Sequence, residues 1–193
     1  MAKPCPPKVI LLDSCSYFRL GISFRPILIR LDGDPEYELK VLADLDREYS
    51  KSSRLQTKFW WAKHPEYKNE RLTNCYTPHG HKAKAAQITF TYIDQYARDN
   101  GVGISLIDKR VLSAGYACGG VVVTDDTDMQ GVATIFGISY FTTLDLLKLM
   151  YKRGRITVEE IDRVIDYWKD ENDLPTSFSS IRTWRESLNV QDS

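Results

Sequence analysis

The sequence lacks a Cys-x-x-Cys pair, an internal repeat, a low-complexity tract and any long apolar run. Its four cysteines, Cys5, Cys15, Cys75 and Cys118, are scattered, which excludes a zinc ribbon and offers no disulfide framework. A reducing compartment is the simpler expectation. No stretch is apolar enough to span a bilayer, and the apolar run after Pro7 is too short for a signal peptide. A cytoplasmic protein with no membrane partner is therefore expected. Cys75, His79 and His81 lie near one another, but their spacing is irregular and no fourth zinc ligand accompanies them.

Net charge is also missing: 26 Lys and Arg balance 26 Asp and Glu. The balance hides a segment. Residues 51–84 carry eight basic and two acidic residues, a net of +6, so the remainder carries −6. One basic insert in an acidic chain points to a local site for a polyanion. The insert also holds Phe59-Trp60-Trp61, Tyr67, Tyr76 and all three histidines. Aromatic faces stack on unpaired bases and cations hold phosphates, which makes Lys58 and Lys63 candidate contacts for single-stranded or looped RNA. The competing reading puts the tryptophans in a core or interface and the lysines on a solvated face, and both readings stay open at this stage.

What is present is an alternation of strands and helices. Val9-Ile10-Leu11-Leu12 reads as a strand buried on both faces. A second strand is expected around Glu38 to Leu42, after the turn-forming Asp32-Gly33-Asp34-Pro35, followed by a helix carrying Leu45, Glu48 and Tyr49. A helix from Lys82 to Asn100 stops at Gly101, and another begins near Ser105 to Asp108 and ends at Gly119-Gly120. On its face, Ala114 and Gly115 are small enough for close packing on a sheet. Val121-Val122-Val123 is a further buried strand. After a short helix come a strand at Ile138 to Phe141 and a helix from Leu144 to about Lys152. This order predicts an α/β fold with a parallel sheet. Thr157 and Glu160 form a capping box ahead of Ile161, Val164, Ile165 and Trp168, which opens a helical tail.

Functional groups in a parallel sheet gather beyond the carboxyl ends of the strands. Asp13 and the Asp125-Asp126-Asp128 group occupy that position. Asp108 at a helix start and Glu48 one turn into another helix could join them. Clustered carboxylates repel unless cations sit among them, and an all-oxygen set suits Mg²⁺ or Mn²⁺. Each residue alone has a plainer role: Asp13 and Asp108 as helix caps, Glu48 as an exposed helix residue, the triplet as a turn. Their coincidence along one fold is what favours a site. An EF-hand loop starting at Asp126 fails, because Gly137 holds its closing Glu position. A phosphatase-like nucleophile at Asp126 lacks a matching phosphate site.

Four segments carry a family resemblance: Val9 to Asp13, Ile107 to Ala114, Val121 to Met129 with its Thr-x-Asp-x-Asp end, and Phe136 to Leu147. In order and spacing they resemble the PIN-domain family of nucleases, of the VapC-like toxin ribonuclease type. The resemblance covers about the first three quarters of the chain and leaves the insert unmatched. It implies a three-layer αβα sandwich with a central, mostly parallel sheet plus C-terminal helices. A nuclease domain would span residues 1–153, with the insert at about 51–84 and a helical extension at 154–193. It implies metal carboxylates at Asp13, Asp108, Asp126 and Asp128. Glu48 would be the second acid, with Asp44 as its fallback. Ser14, Thr124, Lys109 and Arg110 would position substrate. The chain departs from the family in carrying Cys15 where many members have Asn.

The implied activity is a metal-dependent endoribonuclease that leaves a 3′-hydroxyl and a 5′-phosphate. It could be the toxin of a toxin–antitoxin pair acting on RNA such as tRNA. An antitoxin could insert a basic side chain among the carboxylates. Tyr17, Phe18, Ile22 and Phe24, or the tail with Trp168 and Trp184, are candidate surfaces for that partner or for a homodimer. Two other readings remain: a DNA nuclease with the same acids, and a module that binds RNA or protein without cutting.

Overall fold

The computed structural model describes residues 6–175 and Phe178. Cys5 and Trp184 lie outside them. Strand β1 (Lys8–Leu12) leads into helix α1 (Ser14–Ser23), and β2 (Tyr37–Leu42) into α2 (Asp44–Lys51). Helix α3 (Ser53–Lys58), a 3-10 turn (Trp60–Lys63) and α4 (Pro65–Thr73) precede β3 (Cys75–Tyr76). Then come α5 (Gly80–Asn100), α6 (Leu106–Cys118), β4 (Val121–Val123), α7 (Thr127–Ile135) and β5 (Ser139–Phe141). Helices α8 (Thr143–Lys152) and α9 (Val158–Asp170) follow.

The five strands form one parallel sheet in the order β3-β2-β1-β4-β5, with helices on both sides. The expected α/β architecture is therefore present. The chain winds outward from β1 through β2 to β3, then crosses back and continues on the other side with β4. The order thus reverses between β1 and β4, and such a switch point opens a crevice beyond the strand ends. Leu12 pairs with Val123 in register. The residues that follow them, Asp13 and Thr124, consequently emerge side by side, and the Asp13 amide donates to the Val123 carbonyl at 3.1 Å.

The strands are apolar on both faces because both faces are covered. On one side Leu11 and Val122 pack with Ile93 and Ala97 of α5, Val111 and Leu112 of α6, and Met129 and Val132 of α7. Helix α6 approaches closely at Gly115, where a Cβ would come within 2.5 Å of Val122 Cγ2. The small residues expected on that helix have this use.

Residues 51–84 are built into the fold. Phe59 stacks on Phe18 with ring centroids 4.9 Å apart. Trp61 is buried against Tyr17 and Tyr67, and it fills the space that Gly21 leaves open, where a Cβ would meet its ring at 2.5 Å. Arg71 is buried, bonded to Asp46 at 2.8 Å and to the Tyr17 hydroxyl at 3.4 Å. Glu70 accepts from the Leu28 amide, and burial raises its pKa. Of the adjacent tryptophans, Trp61 belongs to the core and Trp60 is exposed.

The chain divides into two compact units, Met1–Tyr140 and Phe141–Ser193. In the second, Thr142 with Asp145 and Thr157 with Glu160 close capping boxes at the starts of α8 and α9. Ile161, Val164, Ile165 and Trp168 form the buried stripe of α9, and Trp168 meets Phe178 edge-on at 5.7 Å. The partner surface expected at Tyr17, Phe18 and Phe24, or at Trp168, is corrected here: all four side chains are buried, and Ile22 is half-buried. No helix among the described residues is long and apolar enough to cross a membrane.

Candidate active site

Asp13 leaves β1 at the switch point and caps α1, with its carboxylate accepting from the Ser16 amide at 2.6 Å. It is buried, and its pKa is raised to about 6. Burial is the main cause; the hydroxyl of Thr124 and the amide and hydroxyl of Ser16 pull it down, and the Asp108 carboxylate pushes it up. The cap is real, but a cap needs only one carboxylate oxygen at a surface. Fully burying the carboxyl beside another acid goes beyond what capping requires.

Glu48 reaches the same place from α2. Its carboxylate accepts a hydrogen bond from Ser14 Oγ, the residue after Asp13. Asp44, one turn earlier, is taken by Arg110 of α6 and by Arg47. Asp108 sits in the first turn of α6, in a reciprocal capping box with Ser105. Nearby, the Lys109 ammonium pairs with Asp94 at 2.9 Å. Lys58 lies over the Phe59 ring at 5.2 Å, and Lys63 is exposed in the 3-10 turn.

The acidic triplet after β4 is sorted by its partners. Asp125 forms an ion pair with Arg19 of α1 at 3.2 Å, both side chains being largely buried. Asp126 caps α7 through the Met129 amide at 2.8 Å, while its own amide donates to Thr124 Oγ1 at 3.2 Å. Asp128 is exposed in the first turn of α7, beside Gly103. Thr124 is therefore the hinge of the arrangement: fully buried, it touches Asp13 on one side and Asp126 on the other.

Pairwise links thus join Asp13 to Thr124, Thr124 to Asp126 and Ser14 to Glu48, with Asp108 near enough to raise Asp13. Lys58 covers an aromatic ring of the insert, and Lys63 is exposed in the 3-10 turn. Arg19 and Ser16 escape sequence reasoning. Both follow Asp13 on α1, and nothing in their local pattern separates them from ordinary helix residues. Cys15 is an exposed residue whose thiol lies against the protein and is pushed up to about 11, first by desolvation and then by Asp13, with Arg19 opposing. Asp108 and Glu48 add to the rise. A thiol held that high stays protonated near neutrality and is no nucleophile.

Oxygen is the only donor type these acids offer; Asp108 raises Asp13, and Asp13, Asp108 and Glu48 each raise the Cys15 thiol. That chemistry fits a hard divalent cation. As the side chains stand, no three of His, Cys, Asp or Glu among the described residues are grouped closely enough to hold one.

Among solved structures, the chain is similar to one in the crystal structure of FitAcB from Neisseria gonorrhoeae, at a TM-score of 0.46 and 14% identity. The alignment covers 69% of this chain and 97% of that one. No protein-family model matches the sequence, and no curated protein matches it. The chemistry therefore rests on the chain's own residues.

Proposed function

We propose that this chain is a metal-dependent endoribonuclease of PIN-like architecture that hydrolyses RNA phosphodiester bonds at the crevice beyond β1 and β4. The observation that carries the reading is the buried Asp13, raised to about 6 and set beside Asp108 at the switch point of a parallel sheet. An acid perturbed by burial and by a neighbouring charge, set in a crevice, is a candidate functional group.

Asp13, Asp108, Asp126 and Asp128 would hold Mg²⁺ or Mn²⁺. When bound, the ion supplies a water of lowered pKa and neutralises charge on the phosphodiester. The chain's own groups do the positioning. Thr124 fixes Asp13 and Asp126 relative to each other, and Ser14 orients Glu48, the fifth acid. The Arg19–Asp125 pair keeps one carboxylate out of the cluster. Lys109 and Arg110, which follow Asp108 on α6 and are paired with Asp94 and Asp44, would meet the strand there, and Lys58 and Lys63 lie further along the insert. Residues 1–153 would form the nuclease region and 154–193 its helical extension. The sequence resemblance adds an inhibitory partner, an antitoxin, that blocks the acids with a basic side chain.

Incubating the purified chain with total RNA and defined tRNA, in Mg²⁺, Mn²⁺ or EDTA, tests this beside Asp126→Asn. Metal-dependent cuts lost in the variant support the reading, and intact RNA throughout overturns it. A second reading is a module that binds RNA without cutting. Binding without turnover is its signature. Cleavage of DNA instead of RNA would keep the mechanism and change the substrate.

A further inference from the structure

A cavity of about 360 Å³ lies between α5 and α6, beyond the ends of β2 and β3. Nothing in the acid chemistry uses it. Its walls include Tyr76, Pro78, Phe90 and Ala86, with Gln87 and Ser113 as polar groups. The volume is at the small end of the range for ligand pockets, roughly 300 to 1,000 Å³.

Its position makes it more than a packing gap. Asp44 and Arg110, joined as an ion pair, form part of its lining. Asp44 begins the helix that carries Glu48, and Arg110 lies two residues beyond Asp108. The cavity and the acid cluster therefore share two helices, with that ion pair between them. At the far end, Pro78 and Ala83 flank the start of α5, whose first turn has no acid. His81, Lys82 and Lys84 follow there, and no carboxylate among the described residues pairs with Lys82. A chamber with Tyr76 and Phe90 in its walls, an arginine–aspartate pair at one end and the acid-free first turn of α5 at the other, adjoining the proposed cutting site, is complementary to one nucleotide of a strand. Aromatic faces take any base, and an amide side chain such as Gln87 can read its edge.

We propose that this cavity holds one unpaired nucleobase of the RNA strand, next to the bond that is cut. The proposal rests on the endoribonuclease reading for its location, but base binding can be measured with cleavage switched off. The experiment is fluorescence anisotropy in EDTA with the full chain. The probes are labelled oligoadenylate, oligouridylate and an oligomer of the same length containing abasic sugars. Stacking of one base changes affinity by about tenfold. Base-bearing oligomers should bind the wild-type chain about tenfold tighter than the abasic one. Ala86→Trp, which fills the cavity, should erase that difference and leave the weaker abasic binding unchanged. Gln87→Ala, an exposed and milder change, should shift the ratio of oligoadenylate to oligouridylate affinity at least about threefold, which keeps the test valid if Ala86→Trp folds poorly.

A folded Ala86→Trp chain that still distinguishes base-bearing from abasic RNA overturns the proposal. Equal affinity of the wild-type chain for all three oligomers does the same. A dimer that dissociates in Ala86→Trp, with RNA binding untouched, would assign the cavity to a second copy and also overturn it. If base-dependent binding is seen but metal never induces cleavage, the catalytic reading fails and the cavity assignment stands.

Discussion

Asp13 joins the chemistry to the stability of the chain. Its pKa is 3.8 when exposed and about 6 in the fold. Between those values the folded chain holds more protons than the unfolded one, so stability falls as pH rises from about 3.8 to 6 and levels off above. Two pKa units correspond to roughly 3 kcal/mol as an upper figure. Asp13→Asn removes the titrating group and keeps the cap, since Asn serves there as well as Asp. In metal-free urea unfolding, the variant should be more stable than wild type at pH 7, by on the order of 1–3 kcal/mol. The two should converge near pH 4. Cleavage should disappear in the variant, and a variant that is less stable at pH 7 would show that the buried carboxylate is not under electrostatic strain. Thr124→Val removes the hydroxyl shared by Asp13 and Asp126. It should lower kcat by about tenfold or more with little change in KM, because it disturbs positioning and not binding; an unchanged kcat would refute the hinge role. The positions of Asp13 and Thr124 beyond paired strand ends could be read from sequence, because topology alone puts them there. The Ser14–Glu48 bond and the Arg19–Asp125 pair could not, since they depend on how α1 lies against α2 and against the loop after β4.

Among the elements, long periodic helices and short valine-rich or leucine-rich strands announced themselves. The exceptions are β3, two residues long and too short to show any period, and the short helices α3 and α4 of the insert, for which the sequence pattern names no element. The insert was legible as basic and aromatic, but not as to which face points inward: Phe59, Trp60 and Trp61 are consecutive, and only packing decides that Trp61 fills the gap over Gly21. Trp61→Ala should therefore cost about 3–5 kcal/mol of stability. Trp60→Ala, at an exposed ring, should stay within about 0.5 kcal/mol. Chemical denaturation distinguishes them, and equal losses would contradict the core assignment. On α6, Gly115→Ala gains helix propensity of about 1 kcal/mol. It must also fit a methyl group into a buried contact, at a cost of about 1–3 kcal/mol. A net loss is expected, partly recovered by Val122→Ala in the double variant. Additive losses would locate the strain elsewhere.

Across the whole molecule, a net charge of zero means that attraction to RNA must come from a few places. Arg71 is paired with Asp46 in the interior and Arg110 with Asp44, which leaves the exposed lysines of the insert. Single-strand binding should therefore have a shallow salt dependence, with log affinity falling by roughly 2 to 3 per decade of salt, the release of three or four counterions. A much steeper slope would require a larger basic surface than this chain presents.

The sheet ends in β3, two residues long, on one side and in β5, three residues long, on the other. Neither border offers a row of open amides and carbonyls on which a foreign strand could grow. Among the described residues, the folded sheet therefore gives little purchase for growth by strand addition, and contacts of the folded chain with other molecules fall to its helices and loops.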